Sequence, residues 1–374
     1  CGAGRANPLT GAPLGGRRSL RRGYFGQYES ASAVKITAVL CVRNEGAFLL
    51  EWLAHHRAAG ITDFLVFSND CDDGTDAMLG RLEAMGWLTH LPNPGPHPEG
   101  PQWSALKQAD RHPLVTGADW LLPLDIDEFV NVHVGNRTLP ALLAALPGAT
   151  AVTLTWRLFG NAGVLDYRDV PVTETFTRAA PKVLHWPWRA ALFKTLVKND
   201  GSFRKLGVHR PRAQVAEQQA GQRWYDGSGR ILPAAFHRAR IFSDLGRDNH
   251  AMVQLNHYAL GAAQSFLLKR DRGRAVHEDT GLDIGYWVER NFDAEEDRSI
   301  LKLDSRGLRA TLQADPVLGP LHRAAVAWRE DRFKALMRGD AWRSLYGQLL
   351  MAGPTRVLDQ AQAESIWKPF VRRT

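Results

Sequence analysis

Three short apolar runs, each broken off by a polar loop, constrain this chain more than any other feature. They read "VKITAVLCV" (34–42), "DFLVFS" (63–68) and "DWLLPL" (119–124). Each is short and apolar almost throughout, the pattern of a strand covered on both faces. Helical patterns lie between them. Phe48, Leu49, Trp52 and Leu53 recur at helical spacing ahead of Gly60, and Met78, Leu79, Leu82 and Met85 do so in the next interval. "WLTHL" (87–91) reads as a short strand and "QWSALKQADRH" (102–112) as a helix. This alternation predicts an α/β fold: an open, mostly parallel, Rossmann-like sheet with helices on both faces. Ligands of such sheets bind outside the carboxyl ends of the strands. The loops at 43–46, 69–75 and 125–128 each follow a strand, so they are expected on one rim.

The pattern changes after residue 150. "AVTLTWRLFG" reads as a strand, residues 160–240 are loop-rich with Trp and Arg interleaved, and 254–275 reads as a strand end followed by a helix. From 296 onward the chain is mainly helical. The expected organisation is a flexible basic lead-in over 1–33, one catalytic-type domain over 34–295 with halves 34–130 and 131–295, and a helical extension over 296–374. The lead-in has no apolar h-region, so no signal peptide is expected. No run approaches the roughly eighteen apolar residues of a spanning helix.

Composition narrows the function classes. Three cysteines in 374 residues exclude a disulfide scaffold and fit a reducing compartment, so a cytoplasmic location is expected. A net charge of +8, supplied mostly by arginine, implies an anionic partner. No zinc-finger spacing and no RNA-binding aromatic motif accompanies the charge, so no nucleic-acid partner is expected. The cluster "GGRRSLRR" (15–22) makes peripheral membrane contact through the lead-in a further expectation.

"LLPLDIDEFV" (121–130) places Asp125, Asp127 and Glu128 at the end of a buried strand, where like charges repel. Three readings compete. Two carboxylates one residue apart at a strand end can converge on Mg²⁺ or Mn²⁺, which take one or two carboxylates plus phosphate oxygens. A phosphoryl-accepting Asp is the second, but an Asp-x-Asp-x-Thr/Val signature is needed, and Phe129 stands in the last place. A solvated turn with Asp caps is the third.

"VRNEG" (42–46), "SNDCDDGT" (68–75) and "LPLDIDEF" (122–129) occur in that order, followed by "PQWSALKQA" (101–109, between the second and third), "TWRLFGNAG" (155–163), "KLGVHRP" (205–211) and "LNHYALGAAQSFLLKRDRGRA" (255–275). As a set, over about 34–300, they resemble GT-A fold glycosyltransferases, in particular family-two-like bacterial enzymes. The resemblance implies a metal-dependent transfer of a sugar from a UDP-linked or other nucleotide donor to a glycan, lipid-linked glycan or other hydroxyl acceptor, with inversion, as in polysaccharide biosynthesis. It makes 34–130 the nucleotide-binding half and 131–295 the acceptor half.

The resemblance also assigns residues. Val42, Arg43, Asn44 and Glu45 would meet base and ribose, although Glu45 at a helix N-terminus needs no ligand to explain it. Asn69, Asp70 and Asp73 would add contacts, with Asx-turns as the alternative. Gln102 and Lys107 would approach the donor. Asp125 and Asp127 would form the DxD pair around a metal, with Ile126 beside the donor and His257 as third ligand; His209 competes for that place. Glu128 is left between donor contact and loop lock. Lys269, Arg270 and Arg272 supply candidates for a diphosphate clamp. Trp156 and Phe159 would form an acceptor wall. Glu174, ahead of Asp166, is the candidate general base. Two rival classes stand beside this one: a sugar-nucleotide nucleotidyltransferase, which lacks its Gly-rich phosphate loop here, and a glycan-binding module on an inactive transferase scaffold.

Overall fold

The computed structural model describes residue 2 and residues 34–273 and 282–371; the expected basic lead-in lies outside the described residues apart from Gly2. Nine strands build the main sheet: β1 (Ile36–Val42), β2 (Asp63–Ser68), β3 (Thr89–Pro92), β4 (Trp120–Leu124), β5 (Glu128–Val132), β6 (Ala151–Leu158), β7 (Phe193–Lys198), β8 (Trp224–Tyr225) and β9 (Val253–His257). The order is β3-β2-β1-β4-β7-β6-β9-β5, with β8 paired to β6. Strands β1 to β4 pair in parallel, as do β6 with β9 and β8. Strand β7 runs antiparallel between β4 and β6, and β5 closes the edge antiparallel to β9. The sheet is mostly parallel, as expected. Because β7 is reversed, β6 and β9 run the same way as β1 and β4, so the loops after β1, β2, β4, β6 and β9 share one rim.

Both faces are covered. Along β1, Ile36, Ala38, Leu40 and Val42 turn toward one core, where they meet helices α1 (Gly46–Ala58) and α2 (Thr75–Ala84). Val39 turns to the other, against Ala105, Leu106 and Ala109 of α3 (Pro101–Ala109). The period-two alternation of β1 thus feeds two cores from one strand.

Later helices complete the structure: α4 (Leu139–Ala145), α5 (Ala263–Asp271), α6 (Arg306–Ala314), α7 (Leu318–Leu336), α8 (Asp340–Met351) and α9 (Gln360–Val371). The helical C-terminal region is present, and Val34–Thr374 form one compact unit. Leu312, Leu318 and Ala325 of α6 and α7 enter the same core as α1 and α2. Arg81 of α2 donates twice to Asp315 between α6 and α7, at 3.0 and 2.7 Å. No helix among the described residues is long and apolar enough to cross a membrane.

Candidate active site

The acidic cluster sits where β4 ends and β5 begins, and helix α1 fixes it from below. The Trp52 indole donates to the backbone carbonyls of Asp125 (3.2 Å) and Glu128 (3.0 Å). His55 Nε2 lies 2.7 Å from the Val130 carbonyl, and the Val130 N–H donates to His56 Nε2 at 3.3 Å. Burial lowers both imidazoles, His55 to about 4, so they serve as neutral struts.

The three carboxylates are sorted into three environments. Asp125 accepts from Gln102 Nε2 (2.7 Å) on one oxygen and from Lys194 Nζ (2.9 Å) on the other. Glu128 is fully buried; it accepts from Trp156 Nε1 (2.6 Å) and from the Asp125 N–H (2.8 Å), with Lys194 Nζ at 3.6 Å. Burial pushes its carboxyl up to about 8, against the pull of Lys194. Both of its oxygens are engaged inside the protein, so Glu128 locks the loop rather than reaching a ligand. Asp127 points elsewhere. Its Oδ2 accepts from Lys269 Nζ at 2.5 Å and lies 3.6 Å from His257 Nε2. Burial alone would raise this carboxyl, but Lys269 and His257 hold it well below the usual range.

Asp127 faces a cavity of about 60 Å³ shared with Glu45, Ile126, Lys269, Arg272 and Arg329. Glu45 is buried and ion-paired with Arg272. Burial raises its carboxyl, with Arg272 opposing. His257 is buried against the Trp156 ring, with centroids 4.1 Å apart. Burial lowers its imidazole, Asp127 opposing, so the ring is neutral and fit to ligate a metal. His209 instead meets the Phe193 carbonyl through Nδ1 (2.9 Å), and burial brings it down to about 4.

A divalent ion finds a partial donor set here. Asp127 Oδ2 and His257 Nε2 face each other, a carboxylate and a neutral imidazole. Asp125 does not join them, since Gln102 and Lys194 occupy both its oxygens. Among the described residues no three acidic, His or Cys side chains form a metal cluster.

The remaining predicted residues distribute as follows. Val42 is the buried last residue of β1, and Arg43 is exposed beside it. Asn44 adopts φ 54° and accepts from the Asp72 N–H at 2.7 Å. Asp73 accepts from the Gly46 N–H (3.0 Å) and the Thr75 hydroxyl (2.6 Å), which staples the loops after β1 and β2 together. Asn69 donates to the Val42 carbonyl (2.9 Å). These three side chains shape the rim from within. Asp70, at φ 44°, is exposed and accepts from the Gly95 N–H. Arg270 turns away from the cavity, donating to the Leu282 carbonyl at 2.9 Å.

Three expectations need correction. Lys107 is exposed and paired with Glu99 at 2.7 Å, on the outer side of α3. Phe159 is 1% exposed and packs on Tyr258 (4.8 Å), so it is core and offers no open wall. Glu174 is exposed on a short helix (Val172–Thr175) and lines a different cavity, with Arg298, Arg306 and Arg309. Asp166 accepts from Gln264 Nε2 (2.7 Å) and lines an apolar cavity of about 440 Å³, which shares Phe48, Val172, Gly261 and Ser265 with the Asp127 cavity. Two residues escaped the sequence reading: Lys194, in a strand hidden inside a loop-rich stretch, and Arg329. The signal for Arg329 was available, since an arginine stands in the inward stripe Leu318, His322, Ala325 of α7.

Fold and site together define a mostly parallel α/β domain, with acid loop and basic residues gathered at the carboxyl rim. Residues 37–220, just under half of the chain, match the model of Glycosyltransferase family 92. A glycosyltransferase family 92 protein of Oryza sativa subsp. japonica is 26% identical over 151 residues, 38% of this chain and 24% of that protein. The chain therefore spans about a quarter of the length of that relative. Among solved structures, S. aureus TarS overlaps 37% of this chain and 24% of its own at 16% identity and a TM-score of 0.25. The galactosyltransferase LgtC, in complex with donor and acceptor sugar analogues, overlaps 60% of this chain and 87% of its own at 14% identity and 0.27. The family matched is family 92, and the finer family-two-like assignment is carried no further.

Proposed function

We propose that this chain transfers a glycosyl group from a nucleotide-activated sugar, UDP-linked, to a hydroxyl group of a glycan or lipid-linked glycan. The observation that carries this is the cavity at the rim where Glu45 and Asp127 arrive from the loops after β1 and β4, and Lys269 and Arg272 from α5 and its C-terminal end, within a chain whose 37–220 span matches a glycosyltransferase family. In this reading Asp127 and His257 hold Mn²⁺ or Mg²⁺. The bound ion would neutralise charge on the diphosphate leaving group. Asp125, held by Gln102 and Lys194, fixes the loop that presents Asp127. Lys269 and Arg272 exchange their carboxylate partners for phosphate oxygens.

The reaction is an inverting displacement. A base takes the proton of the acceptor hydroxyl, the acceptor oxygen bonds to the anomeric carbon, and the bond from that carbon to phosphate oxygen breaks. The electron pair leaves with the nucleoside diphosphate. Asp166, on the cavity that shares walls with the Asp127 cavity, takes the base role in preference to Glu174.

A donor screen reading nucleoside diphosphate release tests the activity; no consumption of any UDP- or GDP-sugar would overturn it. Calorimetry with UDP, with and without Mn²⁺, tests the metal assignment. Wild-type protein should bind in a Mn²⁺-dependent way, and a D127A/H257A double variant should lose that dependence. Equal Mn²⁺-dependent binding in both would remove Asp127 and His257 from the metal site.

A further inference from the structure

We infer that Arg329, carried by the C-terminal helix α7, completes a phosphate pocket in the Asp127 cavity, so that the helical region is part of the donor site. The inference deepens the transferase reading above and rests on it for the identity of the phosphate carrier. Arg329 lies 109 residues beyond the end of the family match, as 329 less 220 gives, so nothing in that match assigns it.

An arginine stands where the inward face of α7 calls for an apolar residue. The inward stripe of α7 runs Leu318, His322, Ala325, Arg329. His322 is accounted for by Asp169, with Nε2 at 3.0 and 3.1 Å from its two oxygens. Arg329 is 5% exposed and has no carboxylate in ion-pair range among the described residues. Its guanidinium lies over the rings of Phe48 (4.5 Å) and Tyr167 (4.8 Å), and one nitrogen donates to Ser265 Oγ at 3.0 Å. Its Nε has no hydrogen-bond partner. A buried cation left this way is costly unless an anion arrives.

The cavity supplies the place for one. It is lined by three cations, Lys269, Arg272 and Arg329, against two carboxylates, Asp127 and Glu45. The excess is positive, and the one guanidinium with no carboxylate is Arg329. Its volume of about 60 Å³ exceeds the roughly 10–15 Å³ that a single water needs on the same measure. A phosphoryl group suits both space and charge, and a guanidinium fixed against the Phe48 and Tyr167 rings and by Ser265 is preorganised for phosphate oxygens. Ser265 and Phe48 fix its position; α5 delivers Lys269 and precedes Arg272. The start of α1, the β4–β5 loop, α5 and the middle of α7 all reach this cavity.

The test is calorimetric titration with UDP and with inorganic pyrophosphate, in magnesium-containing buffer, on wild type, R329M and R323M. Arg323 is exposed on the same helix and serves as the control. R329M should bind both ligands about tenfold to a hundredfold more weakly, the range of one charge-assisted hydrogen bond, while R323M matches wild type. Wild-type affinity in R329M, or no binding of either ligand to wild type, would overturn the inference. Pyrophosphate binding that gains nothing from the uridine of UDP would keep the pocket and count against the transferase reading. Should R329M fail to fold, hydrogen exchange on the wild type decides: pyrophosphate should slow exchange in 263–271 and 318–336, and unchanged exchange in both would overturn the inference.

Discussion

Asp125 and Asp127 are two residues apart in sequence and live in different surroundings. Asp125 is clamped by Gln102 and by Lys194, a lysine with no exposed surface, beside the fully buried Glu128. Asp127 opens onto a cavity and is countered by Lys269 and His257 at its edge. One side of the loop is anchored from within by Lys194 and Glu128, and the other lines a cavity with room for a partner. A two-carboxylate motif read as a symmetric pair would miss this division. The rigid side sets the position of the loop, and the open side is left to do the chemistry.

The contrast can be broken most directly at the two lysines. Lys194→Met strips the cation from Asp125 and Glu128 and should cost about 3–5 kcal/mol of unfolding free energy. Lys269→Met leaves Asp127 with His257 beside it and a cavity that can hydrate it, and should cost clearly less. Denaturant unfolding of both variants measures the difference; equal losses would mean the two sides are alike.

Acid should loosen the rigid foundation next. His55 is held neutral in the fold, down at about 4 against an ordinary value of 6.5. Between those two pH values the unfolded chain takes up a proton that the folded chain refuses. Stability is therefore intact above pH 6.5 and falls as the pH drops toward 4, by at most about 3 kcal/mol from this group. Unfolding titrations across that window should show the slope, and His55→Gln should flatten it. A slope unchanged by the substitution would remove His55 as its source.

The smallest of the three effects concerns the wall between the sides. Trp156 donates to Glu128 and its ring covers His257. Trp156→Phe keeps an aromatic ring and deletes the donor, leaving a buried carboxylate oxygen unpaired at a cost of about 1–3 kcal/mol. Thermal unfolding checks the value, and a loss below a few tenths would show that Glu128 does not depend on Trp156.

Much of the fold was legible because its signals are local. The runs at 34–42, 63–68 and 119–124 are strands in sequence and in structure, and the rim shared by their loops follows from parallel order. The acid loop was visible for the same reason. What stayed hidden depends on distant partners. Strand β7 lies in a stretch crowded with Trp and Arg, and Lys194 gains its role only by meeting Asp125, 69 residues earlier in the chain. Phe159 and Lys107 show the converse. Their residue types suit a site, but packing against Tyr258 and pairing with Glu99 decide where they go. Glu128, ambiguous as a letter, became a lock once both its oxygens had donors.

The placement of α7 carries a consequence for how the molecule is made. Residues 34–124 contain strands β1 to β4, which pair among themselves while the rest of the chain is still being synthesised. The wall bearing Arg329 comes almost two hundred residues after Val132 in the order of synthesis. A nascent chain therefore passes through a long interval with its first four strands available to pair and its cavity unroofed. The cavity closes only when Leu318–Leu336 has emerged and docked on α1 and α2, which makes this late helix the step that turns a folded sheet into a finished site.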